Sequence, residues 1–488
     1  MKKFLLLLII FPTLLLSQTQ ISSDINGENA EDQSGHDVSI SHNGNVIAIG
    51  ARYNSDNGNQ SGHVRVYENI GGVWTQIGLD INGEAAEDES GTAVSLSFDG
   101  TIVAIGAQTN DGNGLNSGHV RVYENIGGVW TQIGSDINGE AAGDSFGYSV
   151  SLSLDGSILA IGGATNNGNG SNSGHVRVYE NIGGIWTQIG SDIDGEAAED
   201  FSGTDVSLSS DGSIVAIGAY SNDGNGSNSG HVRVYENIGG VWTQIGSDIN
   251  GEAAEDRFGE NISLSSDGKI VAIGAYYNDG NGSNSGHVRV YENVGGIWTQ
   301  IGLDIDGEAA GDQFGSNISL SSNGKIVAIG GIFNNDGGSL AGHVRVYENI
   351  GGTWTQVGSD IDGQTSLDLV SNVSISSDGT KLIIGARNSS YNGTRSGHAS
   401  VYDLSSVLSI ESFELDYFTI YPNPTKNFIN IELNQGIEQK NINIYNALGQ
   451  FVLSTNDLKI NTSKLNSGVY FIEIETNKGK SAKKLIIE

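Results

Sequence analysis

A Gly-His pair returns along this chain at a nearly fixed step. It places His63, His119, His175, His231, His287, His343 and His398 at intervals of 56 residues five times and then 55. Trp74, Trp130, Trp186, Trp242, Trp298 and Trp354 keep the same step. Such a period means one supersecondary unit copied seven times, each copy needing its neighbours to cover its apolar faces. In the second copy, "AVSLS" ends at the turn Asp99-Gly100, "TIVAIGA" follows, then "GHVRVYE", a Gly127-Gly128 turn and "VWTQIG". An Asp-Gly or Asn-Gly pair recurs in all seven copies, from Asn43-Gly44 to Asp378-Gly379, as the φ > 0 positions of tight hairpins require. "IVAIGA" is apolar throughout, the pattern of a strand covered on both faces. "HVRVY" alternates, the pattern of a strand nearer an edge.

Four antiparallel strands repeated seven times predict an all-β fold, a seven-bladed β-propeller over residues 18–404. A β-solenoid accommodates three hairpin turns per period poorly. The chain ends predict how the ring closes. The seventh copy reads "NVSIS", "KLIIGA" and "HASVY", then runs into "DLSSV" with no Gly-Gly turn and no Trp strand. The missing strand stands at the other end, where "TQISSDINGE" from Thr19 matches "TQIGSDINGE" from Thr131. An N-terminal strand is therefore expected to complete the last blade and remove two open sheet edges.

Lys2 and Lys3, an apolar run from Phe4 to Leu16 and the small residue Ser17 have the layout of a cleaved signal peptide over residues 1–17. That run is too short to span a bilayer, and no other segment is long and apolar enough, so no transmembrane segment is expected in the mature chain. After Tyr402 the period is lost. Residues 405–415 read as a linker, and from residue 416 the strands "NFINIEL", "NINIYN", "QFVLS" and "VYFIEIET" predict a small Ig-like β-sandwich.

Charge separates the same two regions. Residues 18–412 hold 13 Lys+Arg against 49 Asp+Glu, a net of −36, whereas residues 413–488 hold 8 of each. A field of that sign repels nucleic acid and anionic lipid, which excludes both as partners, and it attracts cations. The chain has no cysteine, which excludes disulfides, a thiolate nucleophile, a Cys-based metal site and a lipid-modified N-terminal cysteine.

The phrases "FGYSVSLS", "VAIGA" and "GHVRVYE" resemble FG-GAP repeats, those of integrin-like propellers, across residues 19–403. In that family a calcium loop of Asp-x-Asp-x-Asp-Gly type joins the first two strands. Here the place holds only a tight turn such as "SSDGS", so the family's calcium site does not transfer. "YPNPT", "ALGQ", "LNSGVYFIEI" and "KKLIIE" resemble the C-terminal sorting domain of the type IX secretion system, over residues 416–488. That resemblance implies Sec export, then passage through the outer membrane of a Gram-negative bacterium by the type IX machinery, with release or surface attachment.

A group present in every blade belongs to the scaffold before it belongs to an active site, because catalysis needs unlike groups to converge. The seven histidines are accordingly expected to be hydrogen-bonded within their blades, the arginines two residues on to pair with acids, and the Trp series to cover blade interfaces. Gly-rich "NDGNGSNSG" has neither a phosphate-binding Lys nor a following helix and reads as a loop. No catalytic residue is assigned. The acidic phrase offers oxygen spacing suited to a hard cation: Asp80, Asn82, Glu84 and Asp88; Asp136, Asn138, Glu140 and Asp144; Asp192, Asp194, Glu196 and Asp200. Calcium is the candidate ion, although Asx-turns would use the same residues.

One-off recognition can be written only where copies differ. Those positions cluster at the start of the first strand and after the second, on one face: Tyr53, Tyr148, Tyr220, Tyr276, Tyr277 and Phe333, with His36 and Glu260 near the channel mouth. The expected function is a secreted or cell-surface binding module for adhesion to a carbohydrate or protein, exported by the type IX route. The alternatives are an extracellular hydrolase with its site at the channel mouth, or a purely structural surface protein.

Overall fold

The computed structural model describes residues 17–408, 418–433, 439–446, 451–476 and 479–487. The expected signal peptide lies outside these residues except for Ser17, as does the linker from residue 409 onward. The chain divides after Leu408 into two units.

The first unit holds seven antiparallel sheets. In the second blade the strands Ala93–Leu96, Ile102–Ala107, His119–Ile126 and Val129–Gln132 are neighbours in that order. The short strand Ile137–Asn138 also pairs with the start of the third, placing Asn138 opposite His119. The phrase "VWTQIGSDIN" is thus one outer strand interrupted at Gly134, whose φ of +75° favours glycine. In the sixth blade the same strand runs unbroken as Thr353–Asp362. Closure is as expected: Thr19–Gln20 and Ile25–Asn26 both pair antiparallel with the third strand of the last blade, His398–Asp403.

The apolar cores lie between blades rather than within them. Val46, Ala48, Val64 and Val66 of the first blade pack against Val94, Leu96, Val103 and Ile105 of the second. The pattern repeats around the ring to a seventh core that joins Ile383, Ala399 and Val401 of the last blade to Val38, Ile40, Ile47 and Ile49 of the first, with Ile21 and Ile25 beside them. This arrangement explains the glycine of "IGA". A Cβ on Gly106 would stand 2.1 Å from the carbonyl oxygen of Gly147 in the next blade. Each blade is an incomplete layer, and the ring exists because the layers bury one another's faces.

A serine in the first strand of each blade ties the ring together at the channel. Ser39 Oγ accepts a hydrogen bond from Leu96 N of the next blade at 3.1 Å, and Ser95 from Leu152 N at 3.0 Å. The series continues through Ser151, Ser207, Ser263 and Ser319 to Ser374, which accepts from Ile40 N at 3.1 Å. Trp side chains bridge the outer rim as expected, with Trp130 Nε1 donating to Ile77 O of the preceding blade at 2.7 Å. The third strand departs from the edge pattern: His119 to Tyr123 are all buried, polar face included. The reason is charge pairing across the blade boundary, described below.

The second unit is a two-sheet sandwich. Phe418–Tyr421, Phe428–Leu433 and Lys459–Asn461 form one sheet; Phe451–Thr455, Gln439–Asn446, Gly468–Thr476 and Gly479–Ile487 form the other. Alternate residues Ile429 and Ile431, Ile442 and Ile444, and Ile472 and Ile474 meet in one core.

Candidate functional site

The serine ring is sevenfold. Two residues before each of these serines, symmetry is lost. The equivalent positions carry Asp37, Ala93, Ser149, Asp205, Asn261, Asn317 and Asn372, and all seven line a cavity of about 320 Å³ at one end of the channel. The residue before each adds His36, Thr92, Tyr148, Thr204, Glu260 and Ser316, and the loops after the second strands add Arg52, Gln108 and Arg387. The fold thus brings the start of each first strand and the loop after each second strand to one mouth, and fills it with groups the repeat does not dictate.

Several of these groups are strongly perturbed. Asp37 accepts hydrogen bonds from Val38 N at 2.9 Å and Val94 N at 2.7 Å, and Asp205 accepts from Val206 N at 2.9 Å and Ile262 N at 2.7 Å. Burial nevertheless raises each carboxyl to about 7. Burial also raises Glu260, whose Oε2 has no hydrogen-bond partner among the described residues, and pushes Tyr148 up to about 12. His36 is held well below the usual imidazole range by burial first and then by Arg52 and Arg387, and its Nδ1 is buried without a partner. Burial, followed by Arg52, lowers Arg387. The mouth therefore combines carboxyls raised by burial, two of them to about 7, with a neutral imidazole and two guanidiniums.

The aromatic residues do not form a common exposed shelf. Tyr148 alone of the six is well exposed, at 40%. Tyr53, Tyr220, Tyr277 and Phe333 are half-buried. Tyr276 is buried, with its hydroxyl against Glu260, which corrects its expected role as an open anchor. Three of them gather around Arg257, whose guanidinium carbon lies 5.5 Å from the Tyr220 ring centre and 4.7 Å from that of Tyr277, and whose Nη1 approaches the Tyr276 hydroxyl at 3.4 Å. Phe201 stacks on Tyr220 at 5.4 Å. Tyr53 lies under Arg52 at 4.5 Å. Phe333 does not line the cavity.

The acidic phrase is divided differently from its sequence spacing. Its last aspartate turns back on its own loop: Asp88, Asp144 and Asp200 are buried and accept from Ala85 N, Ala141 N and Ala197 N at 2.8–2.9 Å. Its glutamate reaches forward to the next blade, where Glu84 meets His119 and Asp136, Glu140 meets His175 and Asp192, and Glu196 meets His231 and Asp248. The third position contributes backbone, since Asn82 O and Asp194 O accept from Arg121 Nη2 and Arg233 Nη2 at 2.8 Å. Asn138 is exposed beside its strand partner His119. Asp80 joins His63, Glu28 and Asp56 in the first blade.

These repeated clusters are positioned to chelate a metal ion, their ligand atoms lying within 4.8 Å of one another. Carboxylate oxygens suit calcium, and the imidazole adds a nitrogen donor. The histidines also correct an expectation. Three of them are not hydrogen-bonded within their blades: neither ring nitrogen of His63, His175 or His343 has a hydrogen-bond partner among the described residues, and the Nδ1 atoms of His63 and His175 stand 3.8 and 3.6 Å from Asp80 and Asp192. Burial lowers His63, His119, His231 and His287 to about 4, so they are neutral at pH 7. The charge on each cluster is met by arginine, with Arg121 3.4 Å from Glu84 and Arg177 paired to both Glu140 and Asp192. The turn at the integrin-type calcium position is also committed, since Asp99 Oδ1 accepts from Thr101 N and Thr101 Oγ1.

The sequence does not single out Asp37, Asp205 or Arg387, and it marks Arg52 only as a position where the copies differ. The signal that finds them is the one that found Tyr148 and Glu260, a position where seven otherwise matching copies disagree.

Two family models agree with this architecture. The family model for the FG-GAP repeat matches residues 25–67 and 250–291, and that for the secretion system C-terminal sorting domain matches residues 419–488. A search of curated proteins finds no match. Among solved structures, Kuenenia stuttgartiensis hydrazine synthase is similar with a TM-score of 0.49 and 13% identity, over 80% of this chain and 98% of that one. A proposed 6-phosphogluconolactonase from Bacteroides uniformis is similar with a TM-score of 0.49 and 12% identity, over 86% of this chain and 96% of that one. No helix among the described residues is long and apolar enough to cross a membrane. The chain is a propeller with FG-GAP repeats and a type IX sorting domain, and it is secreted or displayed at the cell surface.

Proposed function

We propose that the channel mouth is the working site and that the protein is an extracellular hydrolase acting on polysaccharide. One observation carries this reading: unlike, proton-active groups converge only where the sevenfold repeat breaks. His36 on the first blade and Asp205 and Glu260 on the fourth and fifth stand on opposite sides of the ring. Hydrolysis would use the neutral imidazole to take a proton from water as the oxygen attacks the anomeric carbon. A protonated carboxyl across the mouth would give its proton to the departing sugar oxygen, so that one water is consumed per bond broken. Asp205 accepts from Val206 N and Ile262 N, which fixes its position, whereas Glu260 keeps an Oε2 with no hydrogen-bond partner among the described residues, and we assign the proton-donor role to Glu260.

A binding module without catalysis is the second reading. It is favoured by exposed Tyr148 in the cavity lining and by the half-buried rings of Tyr220 and Tyr277 beside Arg257, outside that lining, which offer stacking surfaces. The two readings separate in one experiment. Purified residues 18–404 would be incubated with a panel of polysaccharides, following reducing ends and binding together. Release of reducing ends that is lost in Glu260→Gln and His36→Ala supports the hydrolase. Binding without release across the panel supports the module.

A further inference from the structure

The loop position after the second strand carries Arg52, Gln108, Ala164, Tyr220, Tyr276, Ile332 and Arg387 around the ring. Arginine occurs there twice, on the last and first blades, which closure makes neighbours. Both line the cavity, as does His36 between them. In a chain of net charge −34 these two guanidiniums have almost no counter-charge. Arg387 makes no ion pair among the described residues. Among the described residues Arg52 pairs only with Glu89, at 3.9 Å, and its Nε is buried without a hydrogen-bond partner. The two repel each other, and both depress His36. Elsewhere the scaffold handles buried arginines differently, giving Arg121, Arg177, Arg233, Arg289 and Arg345 each a glutamate from the preceding blade. Two side-by-side guanidiniums without that provision form a cradle for an anion, since a bidentate oxyanion removes both the repulsion and the unmet donors.

Across the mouth stand Asp205 and Glu260, so the cavity has a cationic side and a carboxyl side. Arg257 does not line the cavity; it is engaged with the Tyr220 and Tyr277 rings. Amide and hydroxyl groups from Gln108, Asn261 and Ser316 complete the lining. A space of about 320 Å³ holds a group the size of one sugar ring.

From this geometry we infer that the mouth takes a hydroxyl-rich ligand bearing one anionic group, with Arg52 and Arg387 gripping the anion and the carboxyl side facing the remainder. The inference rests on the channel mouth being the working site and names the substrate class for it. A sugar carboxylate and a sugar phosphate share the required chemistry.

The test is calorimetric binding of galacturonate, galactose 1-phosphate and galactose to residues 18–404, with Glu260→Gln as background so that turnover plays no part. The expected result is binding of one or both anionic sugars, with galactose at least tenfold weaker. The better of the two anions identifies the source. Arg387→Gln and Arg52→Gln should each weaken the anion at least tenfold and leave galactose unchanged, while Arg387→Lys keeps part of the affinity. A melting temperature within 2 °C of the parent shows that each variant is folded. Equal affinity for galactose and the anions, or anion affinity unchanged in both Gln variants, overturns the inference. Anion binding without cleavage of any anionic polysaccharide by the unmutated protein would instead retain the cradle and remove the hydrolase.

Discussion

Thr19 pairs in register with Asp403, and Gln20 with Tyr402, so the first described strand and the last strand of the propeller are adjacent in one sheet. Ile21 N continues the contact by donating to Val401 O at 2.7 Å, and Ile21 and Ile25 pack on the core that joins the last blade to the first. The ring is held shut at its outer edge by this segment and at its channel by the Ser374–Ile40 hydrogen bond.

Deleting residues 19–25 should therefore cost far more than seven residues of loop. Losing two part-buried isoleucines and a paired strand removes about 3 kcal/mol or more and exposes an unpaired edge. The check is thermal unfolding of residues 18–404 against 26–404. The shorter protein should melt lower and associate on heating, and equal melting temperatures would refute closure by this strand.

The sequence made the fold legible because its information is redundant. Seven copies of Asp-Gly or Asn-Gly turns, His and apolar strands, and six of Trp, all specify one layer, and "TQISSDINGE" can be matched to six relatives in the same chain. The site was legible only as a place. Tyr148 and Glu260 could be located at the mouth because they break the repeat, but burial decides what such residues do, and burial depends on the neighbouring blade. Tyr276 is expected to be an anchor and is covered, while Asp37 and Asp205, which the sequence does not single out, are buried carboxyls raised to about 7. The acidic phrase was misgrouped for the same reason. Glu84 lies four residues before Asp88 in sequence, yet its partners are Arg121 and His119 of the following blade.

Calcium should raise stability modestly. Each Glu-His-Asp cluster supplies two carboxylates, but its arginine already neutralises part of their charge, as at Arg289 with Glu252 and Asp304. A single site held at one hundred times its dissociation constant adds about 2.7 kcal/mol by linkage. Unfolding curves in millimolar calcium and in chelator should differ by a few degrees, and Glu140→Gln with Glu252→Gln should shrink the difference. Superimposable curves would assign the clusters to inter-blade ion pairing alone.

The sorting domain makes a localisation experiment decisive. A chain ending before residue 416 keeps residues 1–17, where the sequence predicts a signal peptide, and lacks the matched region 419–488. It should accumulate in the periplasm with the propeller folded, as judged by protease resistance, while the full chain reaches the surface or medium. Normal export of the truncated chain would show that this domain is not the address.

The dependence of stability on pH sets two groups of buried side chains against each other. Four histidines titrate at about 4 in the fold against 6.5 when unfolded. Between those values the unfolded chain binds more protons, so they make stability rise as pH rises from 4 to 6.5. Asp37 and Asp205 titrate at about 7 in the fold against an ordinary 3.8. There the folded chain binds more protons, so their contribution is complete below 3.8 and lost as pH climbs through 7. Of these six groups the four histidines outweigh the two carboxyls below pH 6.5, and the carboxyls dominate above it. The melting temperature should therefore climb from pH 4, peak near 6.5 and fall by a few degrees toward pH 8. Asp205→Asn should flatten that fall, because an amide at this ring position is already used by Asn317, whose Oδ1 accepts from Val373 N at 3.0 Å. A profile that keeps rising through pH 8, in the parent and the variant alike, would mean that the two carboxyls ionise in the fold as they do in water.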